Sequence, residues 1–440
     1  MSTIAHDSAI APPGDEYGGG AHTTVAPGDI ATGVVMGRSS EYFDYFVYGI
    51  ASVLVFPSVF FPFEPRLEGT LYAFVIFSFA FIARPFGSLI FLAIQRRYGR
   101  GPKLTASLFL LGTSTAGIAF LPGYDSLGFL SIVLLSIFRI GQGVALAGAW
   151  DGMPSLLALT APTDRRGWYA MMGQLGAPIG FIIAAALFSF LHANLSSYDF
   201  LSWGWRYPFF VAFAINVVAL FARLRLVVTD EFAQLFSERE LMPADSREFF
   251  RSQGYVVVLG AFGALVSYAL FHLVTVFPLS WILLYSNQSI SRFLGIQILG
   301  ALLGACGIVG SGLIADRIGR QRMLALLATL IAVFSGFAPT LLDGGALGQD
   351  VFILLGFVLL GLSYGQAAGA MNSSFEPRFR YTGAALTADL AWLIGAGFAP
   401  LVALGLSAHF GLGYVSLYLL SGAACTHAAL WISRSARARD

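Results

Sequence analysis

Twelve long apolar stretches run through this chain of 440 residues, and they constrain its fold more than any other feature. Each stretch is long enough to cross the roughly 30 Å hydrocarbon core of a bilayer as a helix. The sequence therefore predicts an all-α polytopic membrane protein with twelve transmembrane helices. We number these spans 1 to 12 and place them approximately at 41–63, 70–95, 103–121, 127–160, 168–192, 205–227, 254–284, 291–315, 321–342, 350–373, 381–406 and 412–433.

The composition excludes a soluble globular protein. Only 11% of the residues are charged and 57% are hydrophobic, and the mean hydropathy is +0.75, whereas soluble domains carry about 25% charged residues. The 50 glycines and 40 phenylalanines suit closely packed membrane helices in contact with lipid. A net charge of +1 gives no reason to expect nucleic acid as a partner, because phosphate binding needs a basic patch.

The longest polar stretch between spans divides the chain into two halves of six spans. Arg97-Tyr98-Gly99-Arg100 in the first half matches Arg317-Ile318-Gly319-Arg320 in the second at an offset of 220 residues. Internal repeats of this kind characterise secondary transporters, in which the substrate site lies near the midplane between the repeats. The predicted organisation is a disordered cytoplasmic tail at 1–40, a six-helix bundle at 41–228, a cytoplasmic linker at 229–253, a second six-helix bundle at 254–433 and a cytoplasmic tail at 434–440.

Arginines are concentrated in every second loop. The loops after spans 2, 4, 8 and 10 and the central linker hold most of them, whereas the opposite loops hold little beyond Arg66 and Arg292. Basic residues in short loops remain on the cytoplasmic side. We therefore expect both termini to face the cytoplasm, in a multi-pass protein of the bacterial inner or plasma membrane.

Several motifs follow one another in a recognisable order. Span 1 opens with Glu41-Tyr42-Phe43-Asp44-Tyr45-Phe46-Val47-Tyr48-Gly49, span 2 carries Ala83-Arg84-Pro85-Phe86-Gly87, and span 4 carries Arg139-Ile140-Gly141-Gln142-Gly143. Further motifs are Gln174-Leu175-Gly176-Ala177-Pro178, Trp205-Arg206-Tyr207-Pro208-Phe209 and Arg380-Tyr381-Thr382-Gly383. From Gly37 onwards the chain resembles the major facilitator superfamily, and within it the metabolite:proton symporters, bacterial uptake carriers for organic acids and osmolytes. The resemblance implies two six-helix bundles that work by alternating access.

The chain departs from that family's pattern at three places. The first copy of the loop motif has Arg96 where the superfamily has an aspartate, whereas the second copy keeps Asp316. Span 4 has Ala149 where the family has a glutamate, with Asp151 two residues later, and span 11 has Asp389 where an uncharged polar residue is common. A carboxylate at a helix end accepts charge-assisted hydrogen bonds that an arginine cannot accept. We therefore expect the latch of the first half to be weakened or rewired.

Ionisable residues inside the spans are functional candidates, since each costs about 2.5–3.5 kcal/mol at the centre of a helix in insertion measurements. Arg84 and Arg139 are the fixed cations expected to hold an anion, although a structural ion pair of Arg84 with Asp44 or Glu41 is an alternative. His272 is titratable near neutral pH, but a lone histidine beside Phe271 also suits simple packing. The predicted substrate-binding residues are Arg84, Arg139, Tyr48, Gln142, Trp150, His272 and Trp392.

Acidic residues in the spans are the candidates for proton coupling, because a carboxyl group in a partly dry cavity can take up and release a proton. Asp44 is the first candidate because it lies a turn deeper than Glu41, which is also suited to a first-turn role at the helix N-terminus. The predicted proton-coupling residues are Glu41, Asp44, Asp389 and Asp151, of which Asp151 has a structural alternative as a partner of Arg165 or Arg166. The predicted gating residues are Arg97, Arg100, Asp316, Arg317, Arg320, Glu376 and Arg380.

No nucleotide-binding loop, zinc-ligand spacing or nucleophile elbow occurs in the sequence. We therefore expect neither an enzyme nor an ATP-driven pump, and no cofactor or metal. The predicted function is proton-coupled uptake of a small mono-, di- or tricarboxylate by a monomer, with protons and the substrate as its partners. A zwitterionic osmolyte such as betaine or proline, efflux, and a sensor that binds solute without carrying it are the alternatives.

Overall fold

The computed structural model describes residues 27–149, 152–227, 237, 241–368 and 375–437. Helices make up nearly all of these ranges, and they contain no strand. Trp150 and Asp151 lie outside the described residues, so their predicted roles stay predictions.

The first half consists of six membrane-length spans. Their bounds are Pro27–Leu54 for span 1, Arg66–Tyr98 for span 2, Arg100–Phe120 for span 3, Phe129–Gly148 and Met153–Thr160 for span 4, Arg166–Met172 and Gly176–Asn194 for span 5, and Arg206–Val227 for span 6. Short helices Phe56–Phe60, Tyr124–Leu127, Thr163–Arg165, Ser197–Asp199 and Phe200–Gly204 connect them.

The second half repeats this arrangement. Its bounds are Ser246–Gly263, Leu265–Thr275 and Phe277–Tyr285 for span 7, Ile290–Ile318 for span 8, Arg320–Asp343 for span 9, Gly345–Ala367 for span 10, Arg380–Ala391, Trp392–Gly397 and Ala399–Phe410 for span 11, and Gly413–Arg437 for span 12. A single turn at Pro377–Phe379 precedes span 11. Ten helices among the described residues are long and apolar enough to cross a membrane, and the helices of spans 1 and 6 supply the other two predicted positions.

Span 1 begins earlier than the sequence indicated. The segment 27–40, which we had assigned to the tail, is part of the helix Pro27–Leu54. Its apolar residues Ile30, Ala31 and Val34 are buried in a cluster with Leu156 and Leu157 of span 4, and this packing explains why the helix begins earlier. The longer helix places Arg38 inside the bundle.

The two bundles meet along two seams, where span 2 packs against span 11 and span 5 packs against span 8. Large apolar side chains such as Phe109, Phe120, Phe190 and Phe221 are exposed on the outside. A soluble protein would bury such side chains, whereas a bilayer accommodates them. We call the side with the loops after spans 2, 4, 8 and 10 the arginine-rich face and the other side the opposite face.

Close helix packing inside each bundle depends on glycine. A Cβ atom on Gly143 of span 4 would lie 2.2 Å from the carbonyl oxygen of Ala80 in span 2, and one on Gly361 of span 10 would lie 2.1 Å from that of Gly304 in span 8. Small residues allow membrane helices to approach backbone to backbone. The same contact thus occurs at equivalent places in the two halves, in accordance with the sequence repeat.

Candidate functional site

A central cavity lies between the bundles and encloses about 810 Å³, counting the part that opens to solvent. The cavity lies toward the arginine-rich face, because part of its lining flanks the loop between spans 4 and 5. These lining residues are Pro154, Ser155, Ala170 and Gly173. The lining residues are Arg38, Arg84, Leu146, Pro154, Ser155, Ala170, Gly173, Gln174, Tyr268, Tyr364, Ala368, Ala384, Ala385, Ala388, Asp389 and Trp392.

Arg84 and Asp389 form an ion pair across this cavity, with 3.1 Å between Arg84 Nε and Asp389 Oδ1. Ser88, one helical turn after Arg84, donates a hydrogen bond to the other carboxylate oxygen. The Arg84 guanidinium also lies 5.8 Å from the ring centre of Trp392, within the range of a cation–π contact. The predicted alternative, a pair of Arg84 with Asp44 or Glu41, is wrong because the neighbour of span 2 at this depth is span 11.

Arg84 and Asp389 each lie next to an irregularity in their helix. Pro85 follows Arg84 inside span 2 and has no N–H to donate to the preceding turn. In span 11 the helix Arg380–Ala391 passes into the π-helical segment Trp392–Gly397 just after Asp389. Such π segments occur mostly at functional sites, because they redirect side chains without ending a helix.

A second ion pair, between Arg38 and Glu41, lines the same region. Arg38 Nη1 lies 2.6 Å from Glu41 Oε2, and Nη2 donates to the Tyr42 hydroxyl at 3.3 Å. A smaller cavity of about 300 Å³ adjoins the central one and shares Arg38, Arg84, Leu146 and Trp392 with it. Arg38 is not among the predicted site residues because the predicted span 1 begins at residue 41. The apolar spacing of Ile30 and Val34 is the signal that would have revealed the longer helix.

Asp44 and Arg139 belong to a separate polar chain inside the first bundle. Thr115 donates to both Asp44 carboxylate oxygens at 3.0 and 3.1 Å, Gln142 donates to the Thr115 hydroxyl at 3.0 Å, and Arg139 donates to the Gln142 carbonyl oxygen at 3.1 Å. All four side chains are buried. The chain connects an acid of span 1 to a cation of span 4 without direct contact between them.

An aromatic layer separates this polar chain from the cavity. The Arg139 guanidinium lies 3.8 Å from the ring centre of Tyr48 and 4.8 Å from that of Phe77. Tyr45 of span 1 is hydrogen-bonded to His272 of span 7, and Tyr42 is hydrogen-bonded to Tyr364 of span 10. Neither Arg139 nor Asp44 lines the central cavity or its smaller neighbour.

The second copy of the repeat motif, which keeps the aspartate, bridges the bundles on the arginine-rich face. Asp316 at the end of span 8 accepts hydrogen bonds from the backbone N–H groups of Gly167 at 2.6 Å and Trp168 at 3.1 Å. These groups are at the N-terminus of the helix that begins span 5, where a carboxylate is favoured by the helix dipole. Arg320 donates to Gln366 at 3.1 Å, and Gln366 in turn donates to the Gly167 carbonyl oxygen at 3.1 Å.

The altered half of the motif makes different contacts at the matching place. Arg96 donates to Asp245 Oδ2 at 2.9 Å, and Asp245 caps the helix that begins span 7 by accepting from the N–H groups of Arg247 and Glu248. These hydrogen bonds, together with the Arg96 charge, lower the pKa of Asp245. The first-half latch is therefore rewired: Arg96 donates to Asp245, the residue that caps the first helix of span 7.

The chain is similar to several known transport proteins over most of its length. The chain is 35% identical to the inner membrane metabolite transport protein YhjE of Escherichia coli over 415 residues, which cover 92% of this chain and 93% of that protein. It is 30% identical to the shikimate transporter of Escherichia coli, covering 89% and 91% of the two chains, and 27% identical to the proline/betaine transporter of that species, covering 84% and 76%. The model of the sugar (and other) transporter family matches residues 30–242.

The chain belongs to the major facilitator superfamily. Its fold agrees with the solved structure of the proton:xylose symporter XylE bound to 6-bromo-6-deoxy-D-glucose, with a TM-score of 0.69 at 16% identity, over 93% of this chain and 95% of that one. The predicted twelve-helix fold is thereby confirmed. The protein is a multi-pass membrane transporter and not an enzyme.

The predicted site residues of this transporter fall into three groups. Arg84, Asp389 and Trp392 line the central cavity, and Glu41 lines the adjoining one. Asp44, Arg139, Gln142, Tyr48 and His272 lie in or behind the aromatic layer. Of the gating candidates, Asp316 contacts the first bundle directly, and Arg320 donates to Gln366, which contacts it. Glu376 accepts a hydrogen bond from Gln253 at 3.0 Å. The remaining candidates are Arg97 and Arg317, which are exposed, and Arg100 and Arg380, which are half-buried.

Proposed function

We propose that this transporter carries a small carboxylate by alternating access, coupled to protons, with Arg84 and Asp389 at the centre of its site. The observation that carries the proposal is the ion pair between the bundles in the central cavity. Arginine presents a planar fork that suits a carboxylate. No bond from Arg84 Nη1 or Nη2 to another described residue accompanies the Nε contact, so the end of the fork is free to bind a carboxylate.

The proton would bind one member of this pair and the substrate the other. A proton on Asp389 removes the charge that holds Arg84, and a substrate carboxylate then takes its place. Each event makes the other more favourable, which is the coupling that a symporter needs. Because the pair joins span 2 to span 11, replacing one partner also frees the bundles to move relative to each other.

Asp44 is the second acid in this proposal. It is buried in the first bundle and linked to Arg139 through Thr115 and Gln142, so a proton on Asp44 changes the charge of a connected network. The network ends beside Tyr45, which contacts His272 of the second bundle. Protonation there can therefore influence the aromatic layer between the polar chain and the cavity.

We further propose that the arginine-rich face is cytoplasmic, that both termini lie on that side, and that the protein functions in the inner membrane as a monomer. The orientation rests on the distribution of basic loops. The contacts of Asp316 and Arg96 would then join the two bundles on the cytoplasmic side, and breaking them would widen access to the cavity from that side.

Uptake into proteoliposomes tests this function. Purified protein is reconstituted, and labelled carboxylates are offered with and without an inwardly directed proton gradient. Accumulation that depends on the gradient and disappears with a protonophore supports proton symport. Binding without any flux would favour a sensor, and accumulation only from the cytoplasmic side would favour efflux.

A zwitterionic osmolyte is the second candidate. Asp389 lies next to an aromatic pair, Tyr268 and Trp392, whose ring centres are 5.1 Å apart. A carboxylate beside aromatic faces can hold a quaternary ammonium group while Arg84 holds the carboxylate. A thermal-shift screen of carboxylates, betaines and amino acids on purified protein distinguishes the two candidates.

A further inference from the structure

We propose that Arg38 and Glu41 form a second anion subsite, so that the cavity accepts a dicarboxylate with one carboxylate on Arg84 and the other on Arg38. This inference rests on the proposed carboxylate transport. It adds to that proposal a site residue, Arg38, and a substrate with two negative groups.

The two pairs are built alike. Arg84 and Arg38 each contact one acid, at 3.1 Å and 2.6 Å, and their side chains are 13% and 18% exposed while both acids are below 10%. Both arginines line the central cavity and its smaller neighbour. A structural ion pair would not need to face a cavity, whereas a binding arginine must.

Aromatic rings hold the two guanidinium groups in place. Arg38 lies 5.2 Å from the ring centre of Tyr42, Arg84 lies 5.8 Å from that of Trp392, and these two rings are 6.2 Å apart. Stacking on aromatic faces restricts an arginine while the edge of its fork bonds to acceptors. Arg38 bonds to Glu41 and Tyr42 in this structure, so a substrate carboxylate would replace the Glu41 carboxylate. The cavity therefore offers two preorganised forks, each with its own acid.

Charge balance sets how many protons must accompany a substrate with two carboxylates. Two arginines and two acids cancel, so a dianion that displaced both acids would leave a charge of −2 in a buried site unless protons accompanied it. The charged and titratable groups near these acids include Arg38, Tyr42 and Tyr45 for Glu41, and Arg84 and Tyr268 for Asp389. One proton on each acid restores neutrality and leaves both forks to the substrate.

Calorimetric titration of the purified full-length protein tests the subsite. The probes are succinate, glutarate and adipate, each compared with its own monoamide, which keeps the length and removes one charge. We expect at least one diacid to bind about tenfold or more tightly than its monoamide, since hydrogen bonds to a charged group are worth about 1.5–3 kcal/mol. Arg38→Gln should abolish this preference by weakening the diacid more than the monoamide, whereas Arg84→Gln should weaken both probes.

Arg292→Gln is the matched control, because Arg292 pairs with Asp350 in an exposed contact away from the cavity, and it should keep the preference. Equal binding of diacid and monoamide, or an unchanged preference in Arg38→Gln, overturns the second subsite while the proposed function stands. If no carboxylate probe binds, both proposals are wrong. Should Arg38→Gln bind neither probe, Arg38→Lys replaces it: a reduced preference supports the subsite, and an unchanged preference overturns it.

Discussion

The Asp389 carboxylate of span 11 lies 3.1 Å from Arg84 Nε of span 2, so one buried ion pair joins the two bundles across the central cavity. Removing one partner of a buried pair leaves an uncompensated charge, which costs about 3–5 kcal/mol. A proton on the acid or a carboxylate on the arginine avoids this cost. A proton or a substrate carboxylate can therefore break this ion pair.

Asp389→Asn should abolish accumulation driven by a proton gradient but keep exchange of substrate between the two sides. The amide cannot release a proton, yet it leaves Arg84 available for a carboxylate. We expect accumulation in proteoliposomes to fall by at least about tenfold, as for the loss of one charged hydrogen bond. Asp350→Asn, in the exposed pair with Arg292, is the control and should transport like the native protein. Normal accumulation by Asp389→Asn would remove Asp389 from the coupling mechanism.

Asp44→Asn should likewise lose accumulation while retaining exchange, because the carboxylate at the end of the Thr115–Gln142–Arg139 chain can no longer change its charge. Thr115→Ser keeps the hydroxyl that donates to Asp44, so it should retain uptake within about twofold. Both are measured in the same proteoliposome assay. Full pH-driven accumulation by Asp44→Asn would show that its role is structural.

The apolar pattern and the repeat were enough to predict the fold, because bilayer thickness sets the length of each span and few charges are tolerated inside. They also identified Arg84 and Asp389 as candidates. The pairing itself was beyond the sequence, since these residues are 305 positions apart and their contact depends on how spans 2 and 11 pack.

Arg38 was missed for a different reason. Hydropathy alone begins span 1 near residue 41, whereas the helix Pro27–Leu54 begins earlier because Ile30 and Val34 pack against the first bundle. Tertiary packing thus determines where this helix begins, and local composition does not predict it. The motif change at Arg96 predicted an altered latch, but its partner Asp245 lies in the other half and could only be found from the structure.

The two latches on the arginine-rich face should differ in strength. Asp316 accepts two hydrogen bonds from backbone N–H groups of the other bundle, whereas Arg96 and Asp245 are 33% and 58% exposed. In a Cys306→Ser, Cys425→Ser background, a Ser155→Cys reporter in the cavity measures opening by its rate of labelling. We expect Asp316→Ala to raise this rate by about tenfold or more, and Arg96→Ala by less than about fivefold. Equal effects would contradict the different roles assigned to the two halves.

The contribution of Asp245 to stability should not depend on pH between 5 and 8. Hydrogen bonds to its carboxylate lower its pKa in the folded protein, so the stabilisation is fully present above the ordinary value of about 3.9 and is lost only as the pH falls through the lowered value. Asp245→Ala should therefore lower the Tm by the same amount at pH 5.5 and pH 8. A difference that grows toward pH 5.5 would show that the carboxylate titrates in the working range.

Gly361→Ala should destabilise the transporter, since its new Cβ would lie 2.1 Å from the carbonyl oxygen of Gly304 and would force spans 8 and 10 apart. Overpacking of this kind costs about 1–3 kcal/mol. Gly336→Ala, in the helix of span 9, is the matched control because its Cβ would meet no atom within 4 Å, and it should leave stability unchanged or raise it by up to about 1 kcal/mol. Thermal unfolding in detergent compares the two variants. A Tm for Gly361→Ala at or above that of Gly336→Ala would mean that the close contact between spans 8 and 10 is not what holds the second bundle together.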